Sequence, residues 1–381
     1  MPLNLLASRS DGARLRLETS LRDIGPAAPP GLGCSACPDL ATCGGLHLEK
    51  GFWDCRDLCC GSPGSCSGRM CRFNVADYAQ RHAEVGGFSL DRIGPALSHP
   101  VVALPVVVPV IYHGKRRDRA FTAPVIAVRL RDLYFKRSGA PRFASRAAFL
   151  AQFRLAETCR IIVSGIDNDD HVERWWGLSE QRAAILHNLQ HVLGIELVTV
   201  PNFSLAVSRP RWGDLYSMKR ICLAWEELAN AGLPTALHPN GRTERDFENW
   251  RRFIIAHPEI NRLSFEFTTG AGGPGAREKY AARLIALAQA AQRPMHLVVT
   301  GGQAVWPMLT SAFATLTVLE TSIFMKTHHR QRAVPGGNKG MRYERAVTDP
   351  GEPLDDLLIA NSETIGARVE NLARPAVAIR M

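Results

Sequence analysis

The sequence predicts an α/β protein, because eight short apolar segments alternate with amphipathic segments of helical length. The apolar segments are rich in β-branched residues and do not alternate with polar ones, which is typical of parallel strands covered by helices on both faces. Eight strands over about 220 residues favour a (β/α)8-like barrel. An open, doubly wound sheet is the alternative. A dense group of cysteines predicts an additional N-terminal metal-binding module.

The strands are predicted at 101–112, 124–130, 160–166, 197–203, 235–238, 262–267, 295–300 and 315–320. Helices are predicted at 72–84, 144–157, 171–193, 215–231, 244–255, 276–292, 305–311 and 354–372. Thr243 precedes one of them and supplies a helix-start signal. No helical pattern separates the first two strands. They therefore form either a hairpin or an irregular part of the barrel.

Composition divides the chain into four parts. Residues 1–33 form an N-terminal segment that ends in a Pro/Gly-rich linker, and residues 34–99 form the cysteine-rich module. Residues 100–325 form the barrel-like domain, and residues 326–381 contain a basic loop followed by the last helix.

The bulk properties exclude some classes of protein. The composition, 46% hydrophobic and 22% charged, is that of an ordinary soluble protein. The longest apolar stretch is too short for a membrane helix, which needs roughly 20 apolar residues, and the N-terminus lacks a secretory pattern. We therefore expect a cytoplasmic protein without a membrane partner. The formal net charge of +10 favours a polyanionic partner, DNA or RNA; an arginine-rich composition without such a partner is the alternative.

The cysteine-rich module contains eight of the ten cysteines of the chain: Cys34, Cys37, Cys43, Cys55, Cys59, Cys60, Cys66 and Cys71. Disulfides would need an oxidising compartment, so a metal is the better explanation. The first pair has the Cys-x2-Cys spacing of zinc sites. The irregular spacing of the others, with Pro or Gly beside several thiols, slightly favours an iron–sulfur cluster. Either metal group could be purely structural.

Carboxylates and a histidine at predicted strand ends are the catalytic candidates, because active sites of parallel barrels lie at that edge. Asp167 and Glu266 are candidates for nucleophile or general acid, and His238 for ligand or base. Each also has a structural interpretation: the acidic run 167–170 could cap a helix, Glu266 could be paired in the core, and His238 could be a hydrogen-bonded core residue.

Further strand-end residues are candidates for substrate binding: Asn202, Asn240, Gly270, Gly272 and Glu320. The glycines belong to a Gly-x-Gly-x-x-Gly segment that either cradles a phosphate or is a flexible connection. The basic stretches at 115–119 and 326–345 could follow a nucleic-acid backbone. Trp175, Trp176 and Trp212 could stack on bases, and helix packing is the alternative for Trp175 and Trp176.

The run from Leu104-Pro105 to Val108-Pro109-Val110 is similar to the entry strand of the tRNA-guanine transglycosylase superfamily, which includes DNA-modifying relatives. That resemblance implies a barrel, a cysteine metal site and carboxylates at strand ends. In that family the zinc module follows the barrel, whereas here the cysteines precede it, and its nucleophile motif matches no stretch of this chain.

A second resemblance is to uncharacterised plasmid- and phage-borne bacterial proteins, through residues 200–204 and the turn Gly232-Leu233-Pro234. It implies no defined activity. The sequence thus leads to a nucleic-acid-processing enzyme of transglycosylase or glycosylase type. The alternatives are a non-catalytic, metal-stabilised DNA- or RNA-binding protein of a mobile element or defence system, and an iron–sulfur redox enzyme.

Overall fold

The computed structural model of the chain describes residues 39–44, 75–205, 211–273, 275–336, 340–349 and 351–374. The chain divides into two compact units. The first comprises Met1–Gly94, Phe203–Leu223 and Asn240–Phe253, and the second comprises Pro95–Asn202, Ala224–Pro239 and Ile254–Met381. None of the described helices is both long enough and apolar enough to span a bilayer.

The second unit contains two four-stranded parallel sheets. One has the order β1-β8-β7-β6 and the other the order β2-β3-β4-β5. Every one of the eight apolar segments contains a strand, so this prediction is confirmed. The strands are β1 (Val107–Pro109), β2 (Val125–Arg129), β3 (Arg160–Ser164), β4 (Leu197–Thr199), β5 (Thr235–Ala236), β6 (Arg262–Glu266), β7 (His296–Thr300) and β8 (Thr315–Glu320).

Two single bridges join the sheets at both of their edges. Val110 pairs with Ala127 beside β1 and β2, and Leu237 pairs with Leu263 beside β5 and β6. Both bridges are parallel. The hairpin that was one possibility for the first two strands is therefore wrong, because a hairpin would pair them antiparallel.

One cluster of buried side chains draws on both sheets. It contains residues of seven of the eight strands or of their immediate extensions: Val108, Val110, Val125, Ala127, Ile162, Leu197, Ala236, Val298 and Leu319. The apolar runs in the sequence are continuous because the strands bury side chains on both faces; β6, for example, is buried at every position.

The helices agree with the amphipathic segments of the sequence to within a few residues at most ends. Residues 171–193 are an exception, because they form two α-helices and a π-helical turn, Asn188–Val192. The described helices are α1 (Leu40–Cys43), α2 (Val75–Glu84), α3 (Arg146–Phe153), α4 (Asp169–Gly177), α5 (Arg182–His187), α6 (Arg211–Asn230), α7 (Glu244–Ala256), α8 (Ala276–Ala290), α9 (Trp306–Ala312), α10 (Ser322–His328) and α11 (Asp355–Leu372).

The stretch that follows β8 differs from the long basic loop predicted there. It contains α10 and an antiparallel pair, β9 (Gln331–Pro335) and β10 (Met341–Arg345). The buried side chain of Asn361 in α11 explains this order. Its Oδ1 accepts a hydrogen bond from the Ala333 amide at 2.7 Å, and its Nδ2 donates to the Gln331 carbonyl at 2.9 Å. An asparagine therefore fixes β9 to α11.

Within the first unit, the start of α7 confirms the helix-start signal of the sequence. Thr243 Oγ1 accepts a hydrogen bond from the Asp246 amide at 3.1 Å, and Asp246 Oδ2 accepts one from the Thr243 amide at 3.1 Å. This reciprocal capping box satisfies backbone donors at the helix end. Asp246 also pairs with the buried guanidinium of Arg211.

Candidate active site

Three loops that follow neighbouring strands bring Arg131, Asp167 and Asn202 together. Arg131 lies in the turn after β2, and the other two residues follow β3 and β4. Arg131 Nη1 donates a hydrogen bond to Asp167 Oδ1 at 2.9 Å. The Asp167 amide donates to Asn202 Oδ1, also at 2.9 Å. The carboxyl ends of adjacent parallel strands share one edge, so residues distant in sequence converge there.

The two oxygens of the Asp167 carboxylate differ in their hydrogen bonding. Oδ2 is buried and has no hydrogen-bond partner among the described residues. The side chain is 12% exposed. A buried polar atom without a partner costs free energy unless a ligand or water satisfies it. Oδ2 is thus the oxygen without a hydrogen-bond partner in a carboxylate whose other oxygen is bound by Arg131.

A small pocket, partly open to solvent, adjoins this carboxylate. Apolar and aromatic side chains form most of its wall, while Arg131 and Asp167 supply charge. This mixture of an apolar wall and few polar groups is typical of small-ligand sites. Its lining includes Leu130, Tyr134, His171, Val172, Trp175 and Pro201.

Tyr134 and His171 line the pocket in uncharged forms. Burial raises the pKa of Tyr134 to about 12, and the Asp167 carboxylate also raises it, so the phenol keeps its proton. Burial lowers the pKa of His171, and the guanidinium of Arg131 lowers it further. At neutral pH the pocket therefore offers a phenol that donates a hydrogen bond and a neutral imidazole.

Glu266, the other carboxylate candidate, has both oxygens in use. Oε1 accepts hydrogen bonds from the amides of Thr268 and Thr269 at 2.9 and 3.0 Å. Oε2 accepts one from the Thr269 hydroxyl at 2.9 Å. These bonds stabilise the turn after β6. Asp167 is the better candidate for chemistry, because one of its oxygens is available.

His238, which follows β5, is a core residue. It is 3% exposed, and its ring stacks on Phe265 with centroids 5.5 Å apart. Burial lowers the pKa of His238 to about 4. The imidazole is therefore neutral at physiological pH, and its Nδ1 has no hydrogen-bond partner among the described residues.

Other acidic candidates cap helices. Asp169 and Asp170 lie in the first turn of α4, where carboxylates interact favourably with the helix dipole. Glu320 ends β8, and its Oε1 accepts a hydrogen bond from the Ser322 amide at 2.7 Å, at the start of α10. All three carboxylates therefore lie at the start of a helix, as the structural interpretation of strand-end carboxylates expects.

The remaining binding candidates lie apart from the Asp167 pocket lining. Asn240, in the first unit, donates to the Phe203 carbonyl at 3.1 Å. Its own carbonyl accepts a hydrogen bond from Trp250 Nε1 at 2.8 Å. Gly270–Gly272 form a 3-10 turn in which the Gly272 amide donates to the Thr269 carbonyl at 2.7 Å, so this amide is not free for a phosphate.

The basic and aromatic candidates divide between buried and exposed positions. Arg117 is buried, and its guanidinium donates to the carbonyls of Arg154 and His113, both at 3.2 Å. Trp175 is buried, in agreement with the packing interpretation, and Trp212 is buried as well. On the β9–β10 pair, by contrast, Arg332 and Arg342 are exposed.

The predicted metal site lies almost entirely outside the described residues. Of its eight cysteines only Cys43, the last residue of α1, is described. Cys34, Cys37, Cys55, Cys59, Cys60, Cys66 and Cys71 are not. Within the described ranges, no group of three or more His, Cys, Asp or Glu side chains is arranged to hold a metal ion.

Three residues of the site were not among the sequence candidates: Arg131, Tyr134 and His171. Arg131 and Tyr134 follow β2 as Asp167 follows β3, so their position after a predicted strand was an available signal. Arg131 was also one of several arginines without a distinguishing motif. Comparisons with models of protein families and with curated protein sequences found no match.

Proposed function

We propose that this chain is a nucleic-acid-processing enzyme that breaks or exchanges the glycosidic bond of a base, with Asp167 as its catalytic carboxylate. The observation that carries the proposal is the Asp167 side chain itself. Arg131 binds one of its oxygens and Asn202 holds the Asp167 backbone amide, while Oδ2 is buried and unpartnered within the described residues and the residue lines a pocket. A fixed carboxylate with one available oxygen suits nucleophilic attack on a sugar carbon.

Closure of the eight strands into a (β/α)8 barrel is part of the proposal. Two observations support it: the parallel bridges that join the sheets at both edges, and the cluster that gathers side chains from seven strands. In such barrels the active site lies at the carboxyl ends of the strands. The Asp167 pocket is at that edge.

In the proposed reaction Asp167 Oδ2 forms a bond to the anomeric carbon of the sugar as the bond to the base breaks. The base leaves with the bonding electron pair and takes up a proton from solvent water. Water, or a second base, then attacks the same carbon and releases the carboxylate. The phenol of Tyr134 would donate a hydrogen bond to the base. The neutral imidazole of His171 would accept the proton of the attacking water.

The formal charge of +10 supports a nucleic acid as the substrate rather than a free nucleoside. A cationic protein attracts a polyanion at long range, and this attraction weakens as salt increases. We further propose that the cysteine-rich module binds an iron–sulfur cluster or zinc and stabilises the N-terminal part of the chain. The eight thiols of Cys34–Cys71 supply a donor set that suits either group.

The proposal is tested by incubating the purified chain with DNA and RNA oligonucleotides of mixed sequence and measuring released or exchanged bases by mass spectrometry. Wild-type protein should release or exchange a base, and Asp167→Ala should not. Glu266→Gln should remain active, because the glutamine oxygen can still accept the two amide hydrogen bonds of the turn. Turnover that survives in Asp167→Ala but disappears in Glu266→Gln would contradict the proposal and indicate that Glu266 is the catalytic carboxylate.

Non-catalytic nucleic-acid binding is the competing function. It is favoured by one observation: Glu266 and Glu320, the other carboxylates at strand ends, are engaged in structural hydrogen bonds. Under this alternative, Asp167 would be a structural partner of Arg131. Salt-sensitive binding of oligonucleotides without any turnover would support it.

A further inference from the structure

We infer that the loop of residues 133–142, which follows β2, is a docking site for single-stranded nucleic acid. This cationic loop carries an exposed aromatic ring, Phe135, between exposed cations. Its second residue, Tyr134, lines the Asp167 pocket. The inference deepens the proposed function, on which it rests for the role of that pocket, and it names where the strand is held.

The loop is ordered by its own backbone. The Phe135 amide donates to the Ala140 carbonyl at 2.9 Å, and the Arg142 amide donates to the Leu133 carbonyl at 2.9 Å. A third bond, from the Gly139 amide to the Phe135 carbonyl at 2.8 Å, closes the tip. The backbone at Phe135 is therefore held in place before any ligand arrives, and a preorganised surface loses less entropy on binding.

The exposed ring is the feature that favours an unpaired strand. Phe135 is 50% exposed, although a phenylalanine in a stable loop would ordinarily be covered. The guanidinium of Arg142 lies 6.0 Å from the ring centroid and so extends this surface. Aromatic rings of this kind stack on bases of any sequence, provided that the bases are not already paired in a duplex.

Within the part of the chain that the structure describes, the charges around Phe135 are not neutralised by ion pairs. Lys136, Arg137 and Arg142 are exposed, and in the described ranges none of them forms an ion pair. Asp132, the carboxylate nearest in sequence, is occupied by Arg129 at 2.8 Å. Surface cations without carboxylate partners are available for phosphates, which they bind with release of counterions.

Helix α4 adds a fourth cation to this surface. Arg174 Nη1 donates a hydrogen bond to the Lys136 carbonyl at 3.4 Å, which places a guanidinium against the loop. Arg174 lies in the last turn of α4, whereas the carboxylates Asp169 and Asp170 lie in the first. Arg174 is thus the cation of α4 that meets the loop, with the exposed Glu173 next to it in the chain.

The position of the loop explains how a base would reach Asp167. Tyr134 is next to Phe135 in the chain, and Arg131 lies in the turn that immediately precedes Tyr134. A strand with its phosphates on Lys136, Arg137 and Arg142 and one base on Phe135 would present a neighbouring base to the pocket. Enzymes that act on a base need it unstacked and out of a duplex, so a single strand is the substrate form that this surface fits.

The test is fluorescence anisotropy with labelled oligo-dT and oligo-U of about 12 nucleotides, across a salt series and with the full chain. Phe135→Ala should weaken binding about tenfold with little change in salt dependence, and Phe135→Trp should restore it. The double variant Lys136→Ala/Arg137→Ala should lower the slope of log affinity against log salt by about 1.4. Arg332→Ala/Arg342→Ala, which removes two exposed cations from the β9–β10 pair, is the matched control and should change the affinity less.

Three results would overturn the inference: no binding by wild type, wild-type affinity in Phe135→Ala, or a larger loss in the Arg332/Arg342 control. Equal affinity for duplex DNA or for an acidic peptide would also contradict it. The outcome is separable from the proposed function. If Phe135→Ala weakens binding but wild type shows no turnover, the docking site is supported and the proposed enzymatic function is contradicted. If wild type shows turnover but Phe135→Ala binds as wild type does, the enzymatic function is supported and the docking site is contradicted.

Discussion

Arg131 and Asp167 form an ion pair through one oxygen only: Arg131 Nη1 lies 2.9 Å from Asp167 Oδ1, while Oδ2 has no hydrogen-bond partner in the described ranges. The pair joins the loops after β2 and β3 at the carboxyl edge of the sheet. A carboxylate held this way is oriented without being fully satisfied. That asymmetry distinguishes Asp167 from Glu266, whose oxygens are both engaged.

Removing the cation should be costly to stability. Arg131→Met leaves the largely buried Asp167 without its charged donor, and we expect a loss of about 1–3 kcal/mol in the free energy of unfolding. Urea denaturation at neutral pH measures it. Arg119→Met is the matched control, because Arg119 pairs with the exposed Asp356 and should change stability little. Equal losses in the two variants would argue against a special role for the Arg131–Asp167 pair.

His238 should make stability depend on pH. Its pKa is lowered from 6.5 to about 4 in the folded chain, so the unfolded chain binds a proton first as the pH falls. Stability is therefore lost between pH 6.5 and 4, by about 3 kcal/mol from this residue. His238→Phe should remove that part of the pH dependence.

The measurement is urea unfolding of wild type and His238→Phe at several pH values across this range, since carboxylates contribute equally to both and cancel in the difference. The exposed His187 provides a control, and His187→Gln should keep the wild-type slope. Identical slopes in wild type and His238→Phe would show that the histidine is not buried in its neutral form.

Gly165 should be irreplaceable where β3 ends. A Cβ on this residue would lie 2.3 Å from the Thr199 carbonyl oxygen and 2.7 Å from the Pro201 nitrogen, both backbone atoms. Gly165→Ala should therefore push β4 away from β3 and destabilise the protein by about 1–3 kcal/mol. Gly177→Ala is the control, because nothing lies within 4 Å of its Cβ position at the end of α4. A thermal melt of Gly165→Ala at the wild-type midpoint would contradict this packing.

The cysteine-rich module should bind metal. Protein purified without oxygen is expected to contain iron with acid-labile sulfide, or zinc, and Cys34→Ser/Cys37→Ser should contain less of it. Cys159→Ala should retain the metal, because Cys159 is buried and donates to the Phe121 carbonyl at 3.4 Å. Elemental analysis of the purified protein is the measurement. Zinc without iron would exclude the redox interpretation, and a metal-free wild type would contradict both the iron–sulfur and the zinc prediction.

Hydrophobic periodicity predicted all eight strands of the two parallel sheets, because each is apolar on both faces. It predicted their ends less well. The first run, 101–112, contains a strand of only Val107–Pro109, since prolines such as Pro105 and Pro109 lack the N–H that a ladder needs. The β9–β10 pair was missed because its charged residues give no apolar pattern, and the bonds from Asn361 that fix β9 come from a distant helix.

The site was predictable in part for a similar reason. Asp167 follows one predicted strand and Asn202 lies near the end of another, so both were candidates from sequence. Their hydrogen bond, and the ion pair to Arg131, depend on which strands are neighbours, and sequence spacing does not encode that order. The same limit applies to Glu266: its role in the turn after β6 depends on hydrogen bonds that only the folded loop forms.

The most direct test of the central claim is a single-turnover assay of base release from oligonucleotides, comparing Asp167→Asn with Asp170→Asn. Both substitutions remove one carboxylate from the same segment, but Asp170 is exposed in the first turn of α4. We expect Asp167→Asn to be slower than wild type by about 10²–10⁴-fold and Asp170→Asn to be unchanged. Equal rates for wild type and Asp167→Asn would contradict the assignment of Asp167 as the catalytic carboxylate.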